Sequence, residues 1–415
     1  NLNKLLIRIL LHLQVEFSFK NSKVAFIYGA AGTGKSTMIN YISSLFKDKQ
    51  KIFLANTNPA VENLRRKVTA EHAEFVTITK FLSKDVSNDC DILCLDECST
   101  ISNRDMVRVL QRAQCKLLVL VGDIYQIESI LFGNWFNIAY KVMPKDSVAE
   151  LTRPHRTTVQ GLIEVWNKVR EITEDRLEFI TRNGLSSTLD ESIFSRTEED
   201  EIVLCLNYDG IYGINNINKF LQSNNVNPSI NWGVLSYKVG DPVLFNESNR
   251  FAPLVYNNLK GKILQIEEEE DCIYFTIEVY TVLNELDVIG FDLELKESVT
   301  DETSVIRFKV GRGGDGNDDN DNVENVVPFQ VAYAISIHKA QGLEYESVKV
   351  VITSEIEEMV SHNIFYTAIT RAKSKLKIYW SPETEKRILE NMKVQFNDKD
   401  YQLFKAKYKE ALLKS

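Results

Sequence analysis

The sequence predicts an α/β protein: two parallel-sheet domains, with a small all-β insert in the second. Three observations carry that expectation. Short β-rich apolar runs, each followed by a polar or glycine turn and a helical pattern, recur before residue 125 as "KVAFIYG", "KIFLANT", "DILCLDE" and "KLLVLVGD". Uninterrupted apolar runs of this kind suit strands buried on both faces of a parallel sheet. A second set follows as "EIVLCLN", "QVAYAIS", "SVKVVIT" and "KLKIYWS". Inside it, from "WGVLSYKVGDPVLFNESN" to about residue 325, short alternating strands with Gly-Asp and Asn turns read as the all-β insert. The expected division is 1–148 for the first domain, 149–231 with 326–415 for the second, and 232–325 for the insert.

The 415 residues are 44% hydrophobic, an ordinary globular composition, and no apolar stretch reaches the ~20 residues of a membrane span. The opening "NLNKLLIRILLHLQVEF" is apolar at helical spacing but too interrupted for a signal peptide. The chain opens on Asn1, which leads us to expect a further domain or a protein partner upstream. Six cysteines do not form a disulfide framework, so a reducing, cytoplasmic compartment is expected. Cys90, Cys94 and Cys98 are spaced by four, but a strand running into a loop would not gather them around one ion. The net charge of −9 argues weakly against nucleic acid until it is mapped. Residues 261–325 hold 18 acidic and 5 basic side chains, so the rest of the chain is slightly basic and is free to form a basic groove. "GRGGDGNDDNDN" (311–322) reads as an acidic low-complexity loop.

The first domain opens with "IYGAAGTGKSTMINYI". Gly29, Gly32, Gly34, Lys35 and Ser36 fit G-x-x-x-x-G-K-[ST], after a strand and before a helix. Backbone N–H groups and the helix N-terminus would cradle phosphates, with Thr33 and Thr37 in the same turn. Lys35 would reach the β and γ phosphates and Ser36 a magnesium ion, which implies ATP and Mg2+ as ligands. "ILCLDECS" supplies Asp96 for the metal shell and Glu97 to activate the attacking water. "LLVLVGDIYQI" ends another strand with Gly122, Asp123 and Gln126, whose amide would sense the γ-phosphate.

In sequence order, these pieces resemble the superfamily 1 helicases. "ANTNPAVENL" and "FVTITKFL" resemble the segments that touch single-stranded nucleic acid, and "LTRPHR" and "YTAITRAK" those that supply two arginines, Arg156 and Arg371, to the γ-phosphate. "YAISIHKAQGLEY" resembles the motif coupling ATP to nucleic acid. The resemblance spans residues 24 to 380 and implies two RecA-like domains that share one ATP, with both arginines coming from the second. It further implies that Thr57, Asn58 and Thr77 hold the strand from the first domain, and Ser336, His338 and Lys339 from the second. Gly342 and Glu344 would face the nucleotide. A surface salt bridge is the plainer reading of Arg156, and a core histidine that of His338.

"QIESILFG" and the insert, especially "KVGDPVLFN" and "VYNNLKG", resemble the RecD-like branch and its SH3-like domain. That branch implies 5′-to-3′ movement; single-stranded DNA is expected in preference to RNA as the partner, a choice the sequence itself does not decide. Two departures stand out. The glutamine that reads adenine ahead of the first motif has no match, since Gln14 sits too close to the strand. Only 18 residues separate Thr77 from Asp96, which leaves little room for a strand-separating wedge. The expectation is therefore translocation with weak unwinding. The alternatives are a nucleic-acid-stimulated ATPase that acts as a sensor subunit, and a nucleotide-gated interaction module. Trp135, Trp232 and Tyr237 are aromatics that would stack bases if exposed.

Overall fold

A computed structural model describes residues 23–83, 88–127, 134–246, 250–252, 254–298, 300–312, 325–393, 401–402 and 406. Gln14 and the apolar opening, the stretch 128–133 within "QIESILFG", and the acidic loop at 313–324 lie outside them. The chain forms two compact units. The first comprises 1–179, 360–374 and 388–415, and the second 180–359 and 375–387.

The first unit is built on β1 (Lys23–Gly29), β2 (Lys51–Ala55), β3 (Ala73–Thr77), β4 (Asp89–Leu95), β5 (Gln114–Gly122) and β6 (Val148–Leu151). All six are parallel, in the order β3-β2-β4-β5-β1-β6. Helices α1 (Lys35–Leu45), α2 (Asn58–Lys67), α3 (Ile78–Leu82), α4 (Asn103–Arg112), α5 (Trp135–Val142) and α6 (Gln160–Glu171) follow or link the strands. Strand alternation splits the core in two. Ile27, Phe53, Cys94 and Val119 pack with Met38, Ile39 and Leu64, whereas Phe26, Leu54, Leu93 and Leu120 pack with Phe81, Met106 and Phe136. Cys94 belongs to the first of these clusters, and Cys90 and Cys98 to the second.

In the second unit β7 (Ser186–Ser187), β8 (Glu201–Cys205), β17 (Ala334–Ser336), β18 (Tyr345–Val351) and β19 (Ala372–Tyr379) form a sheet ordered β17-β8-β18-β19-β7. The recorded pairs β17–β8, β18–β8 and β19–β7 are parallel. Between β8 and β17 the chain makes a hairpin, β9 (Ser229–Trp232) with β10 (Leu235–Lys238), and then an antiparallel sheet. That sheet contains β11 (Pro242–Phe245), β12 (Lys260–Glu268), β13 (Cys272–Val279), β14 (Glu294–Lys296), β15 (Ser304–Gly311) and β16 (Phe329–Val331), ordered β14-β15-β13-β12-β11-β16. It has its own aromatic core of Phe245, Phe251, Phe275, Phe308 and Phe329.

Two sequence boundaries move. A break at 148/149 would cut β6, whose Phe26↔Val148 to Gly29↔Leu151 register makes it part of the first sheet. An insert ending at 325 would lose β16, which pairs with β11 through Val243↔Val331 and Phe245↔Phe329. Tyr237 and Trp232 are core residues of the insert at 1% and 8% exposure. Trp135 donates its Nε1–H to the Ile101 carbonyl and packs edge-on against Phe136. Tyr237 and Trp232 therefore have no free face for a base, whereas Trp135 is half-buried.

Candidate functional site

Between β1 and α1, Gly32 and Gly34 have φ of +72° and +85°, where a side chain is strained. A Cβ on Gly29 would lie 2.6 Å from both the Leu151 carbonyl and the Thr33 hydroxyl. Thr33, itself buried, donates its hydroxyl to the Ala30 carbonyl. No side chain caps α1, so its first-turn N–H groups at Lys35, Ser36 and Thr37 have no capping acceptor. The Lys35 Nζ donates to the carbonyls of Gly29 (2.8 Å) and Ala30 (2.9 Å) and stands 4.0 Å from Asp123 Oδ2. Burial lowers the Lys35 pKa, and the charges of Asp123 and Asp96 oppose that shift.

The carboxylates sit at the ends of adjacent strands. Asp96 follows β4, and its Oδ1 accepts from the Glu97 N–H. Glu97 takes a left-handed backbone, φ +52°, rare for a residue with a Cβ and a mark of a constrained position. Desolvation, and then the neighbouring Asp96, raise the Glu97 carboxyl to about 7, while Arg371 and Lys35 pull it down. Burial raises Asp96 as well. Asp123, just beyond β5 and 2% exposed, accepts from the Tyr125 N–H and the Gln126 Nε2. It links Gln126 to Lys35. Its place in the Gly-Asp-x-x-Gln pattern was the available sequence signal for this role. The Asp96 carboxylate, disfavoured by burial and interacting with the charge of Lys35, together with the Ser36 hydroxyl next to Lys35 in the chain, offers oxygen donors of the kind a hard divalent cation takes.

Both arginines are near this loop. A Cβ on Gly32 would lie 2.3 Å from the Arg156 Cβ, and the His155 N–H donates to the Gly32 carbonyl at 2.5 Å. Arg156 Nη1 donates to the Thr370 carbonyl at 2.6 Å. Arg371, 1% exposed, donates from Nε to the Thr367 carbonyl and from Nη2 to the Thr370 hydroxyl. Its charge acts on Lys35, Glu97 and Asp123. Both arginines fall in the first compact unit, Arg371 immediately ahead of β19, whose first three residues fall there too and the rest in the second unit. The cause is local. β6 pairs with β1 and delivers Arg156 to the loop, while the helix His362–Ile369 lies on α6 through His362 Nε2 to the Val169 carbonyl. Two residues missed from sequence complete this wall. The Tyr366 hydroxyl accepts from the Ala31 N–H, and the Thr367 hydroxyl accepts from the Ile127 N–H. Both lie within the quoted "YTAITRAK".

The strand-binding candidates fall in two groups. In the first unit, Thr57 and Thr77 are N-caps of α2 and α3, each hydroxyl accepting from the N–H three residues on. Ala55 and Thr77 are register partners, so these two helix starts, with exposed Asn58, stand side by side at the carboxyl edge of the sheet. In the second unit, Ser336 ends β17 and its hydroxyl accepts from the Lys339 N–H. His338 is exposed, not a core histidine. Lys339 donates to Gln330 Oε1 at 2.8 Å. Gly342, φ +79°, and Glu344 lie in the turn between β17 and β18. No helix among the described residues is long and apolar enough to cross a membrane.

A family model described as an AAA domain matches residues 15–190, and one described as the UvrD-like helicase C-terminal domain matches 331–379. The chain is similar to the RecBCD enzyme subunit RecD of Mycolicibacterium smegmatis, 22% identical over 74% of this chain and 52% of the relative. It is also similar to the ATP-dependent DNA helicase Pif1 of Campylobacter jejuni, 23% identical over 85% of this chain and 88% of the relative. The chain spans about half the length of that RecD, and 36% of a longer relative from Methanocaldococcus jannaschii. Among solved structures, a Pif1 helicase from Bacteroides in complex with ADP-AlF3 and ssDNA superimposes with a TM-score of 0.55 at 16% identity, over 97% of this chain and 96% of that one. Ordered motifs, parallel-sheet architecture and these likenesses together support a superfamily 1 helicase in the branch that holds RecD and Pif1.

Proposed function

We propose that the protein is an ATP-driven translocase on single-stranded DNA, moving 5′ to 3′, with little strand separation of its own. The observation that carries the reading is the convergence of Lys35, Glu97, Asp123, Arg156 and Arg371 on one glycine loop. In this reading Lys35 exchanges two loop carbonyls for phosphate oxygens. Glu97 takes the proton of the attacking water, and Gln126, held by Asp123, orients that water. Arg156 and Arg371 stabilise the charge that develops on the transferred phosphoryl. Ser36 and Asp96 would hold Mg2+, which supplies charge neutralisation at the phosphates. Thr57, Asn58 and Thr77, with Ser336, His338 and Lys339, grip backbone without reading sequence. Gly342 and Glu344 connect the second group to the nucleotide.

The preference for DNA is supported by the ssDNA in the Bacteroides Pif1 complex, and an intracellular setting by six cysteines that are all free thiols. Weak unwinding is supported by the short interval after β3, where only α3 intervenes before β4 among the described residues. The same feature, with the likeness to a subunit of RecBCD, keeps a sensor ATPase within a larger assembly as the second reading. ATPase turnover with and without single-stranded DNA and RNA, together with streptavidin displacement from each DNA end, tests the proposal. Stimulation with displacement from the 3′ end only is expected. Stimulation without displacement favours the sensor, and absence of stimulation overturns both.

A further inference from the structure

Segment Tyr333–Tyr345 contains Ser336, His338, Lys339, Gly342 and Glu344, and the antiparallel insert holds it near both ends. At the front, Asp241 is fully buried where the insert sheet begins. Its Oδ1 accepts from the Tyr333 hydroxyl (2.8 Å) and Asn225 Nδ2 (2.9 Å). Its Oδ2 accepts from Gln222 Nε2 (2.6 Å) and the Lys238 N–H (2.9 Å). The neighbouring Asn218 Oδ1 accepts the N–H groups of Tyr333 and Ala334, each at 2.9 Å. At the back, Lys260 of β12 donates to Asp200 Oδ1 (2.5 Å) and to the Glu344 carbonyl (3.2 Å). Its ammonium also lies 4.1 Å from the ring centre of Tyr345 and 5.2 Å from that of Tyr280.

Between these two attachments the insert and the sheet do not pack continuously. A cavity of about 380 Å³ lies there, lined by Gly240, Pro242, Lys260, Tyr280, Ala332 and Tyr345 among others. Polar anchors therefore stand on each side of Gly342, the residue whose left-handed backbone turns the loop, and between them Gln330 of β16 accepts from Lys339. A buried carboxylate with four donors and an ammonium held between two rings and a carbonyl each prefer one geometry, because losing a partner leaves a buried polar group exposed to its full desolvation cost.

We propose that the insert is the positioning element for this segment, acting through Asp241 on Tyr333 and through Lys260 on Glu344. By fixing the two ends, it sets where Ser336, His338 and Lys339 stand and carries a displacement at one end to the other. The inference rests on the motor reading above, since it gives the segment its nucleic-acid role. Tyr333 and Lys260 are positioning residues, remote from the phosphate loop in sequence and absent from the sites named above.

The test uses the full chain with Tyr333→Phe and Lys260→Met, with Lys260→Arg as the conservative variant. The readouts are DNA-free turnover, KM for ATP, the concentration of single-stranded DNA giving half-maximal stimulation, and Tm. For Tyr333→Phe and Lys260→Met the half-stimulating DNA concentration is expected to rise by about tenfold, roughly the loss of one net hydrogen bond. DNA-free turnover and, for Tyr333→Phe, KM for ATP should stay within about twofold, and Lys260→Arg should recover most of the loss. An unchanged half-stimulating concentration in folded variants overturns the proposal. So does a parallel decline of every parameter with Tm, which would mark the anchors as merely structural. If the wild-type chain is not stimulated by DNA at all, it is the motor reading that fails, and the two failures are distinguished.

Discussion

Gly32 and Arg156 meet without room for a methyl group: a Cβ on Gly32 would lie 2.3 Å from the Arg156 Cβ and 3.1 Å from its backbone N. The backbone there, φ +72°, is itself one that only glycine adopts without strain. Gly32→Ala should therefore act twice, straining the phosphate loop and pushing Arg156 away from it. Turnover is expected to fall by about 10²-fold or more, in keeping with misplacement of a positioned group near the chemistry. Nucleotide affinity, measured with a fluorescent analogue, should weaken as well. Retention of wild-type turnover would show that Arg156 is not needed where the structure puts it.

Glu97 should leave its mark on the pH profile. Its carboxyl is raised to about 7 by desolvation and by Asp96, and a base works only when deprotonated. Turnover is thus expected to climb as pH rises through about 7 and to level off above it. Glu97→Gln should lower turnover by about 10²–10⁴-fold and abolish that limb. The stability consequence has the opposite sign. The folded pKa lies above the ordinary carboxylate value, so the folded state binds the proton more tightly. Stability is therefore lost as pH rises from the unfolded toward the folded value. Glu97→Gln should raise Tm at pH 8 and leave it nearly unchanged at pH 4.5, which differential scanning calorimetry can check.

Arg371 and Glu97 are electrostatically linked, since the guanidinium is among the charges that hold the carboxyl down. Arg371→Gln removes that charge. The expected result is a loss of about 10³-fold in turnover, the scale of an arginine acting on phosphoryl transfer. The residual activity should show its pH limb displaced upward. A structural role alone would lower Tm without moving the limb, so the pH profile of the variant decides between them.

Tyr237 carries a hydroxyl with no partner inside the aromatic core of the insert, with Phe275 and Phe329 at 5.2 and 5.6 Å between ring centres. Removing an unsatisfied buried hydroxyl while keeping the ring relieves a cost of about 1–3 kcal/mol. Tyr237→Phe should raise Tm and leave DNA binding unchanged. A fall in Tm would instead show that the hydroxyl is satisfied and contributes to stability.

The strands that were plain in the sequence are the central ones. β1, β2, β4 and β5 are continuous apolar runs because both of their faces are covered, and their signal is local. β3 and β6 lack that signal: they are edge strands, β3 with only Val76 buried and β6 four residues long, so their periodicity is weak. Trp232 and Tyr237 illustrate a different gap. Composition admits them as base platforms, and only the packing of the insert closes their faces.

The phosphate loop, the paired acids of β4 and the Gly-Asp-x-x-Gln turn are short-range chemistry, where residue type and spacing along the chain already dictate geometry. They could be read in order, residue by residue, before any fold was known. Which wall supplies Arg156 and Arg371 is a long-range matter, set by β6 joining β1 and by the His362–Ile369 helix settling on α6. The sharing of Asp241 between the insert and Tyr333 is of the same kind. Such neighbours are separated by 92 to 193 residues of chain, and no local pattern encodes them. They arise from the burial and hydrogen-bond satisfaction of the whole, which is where the tertiary fold decides.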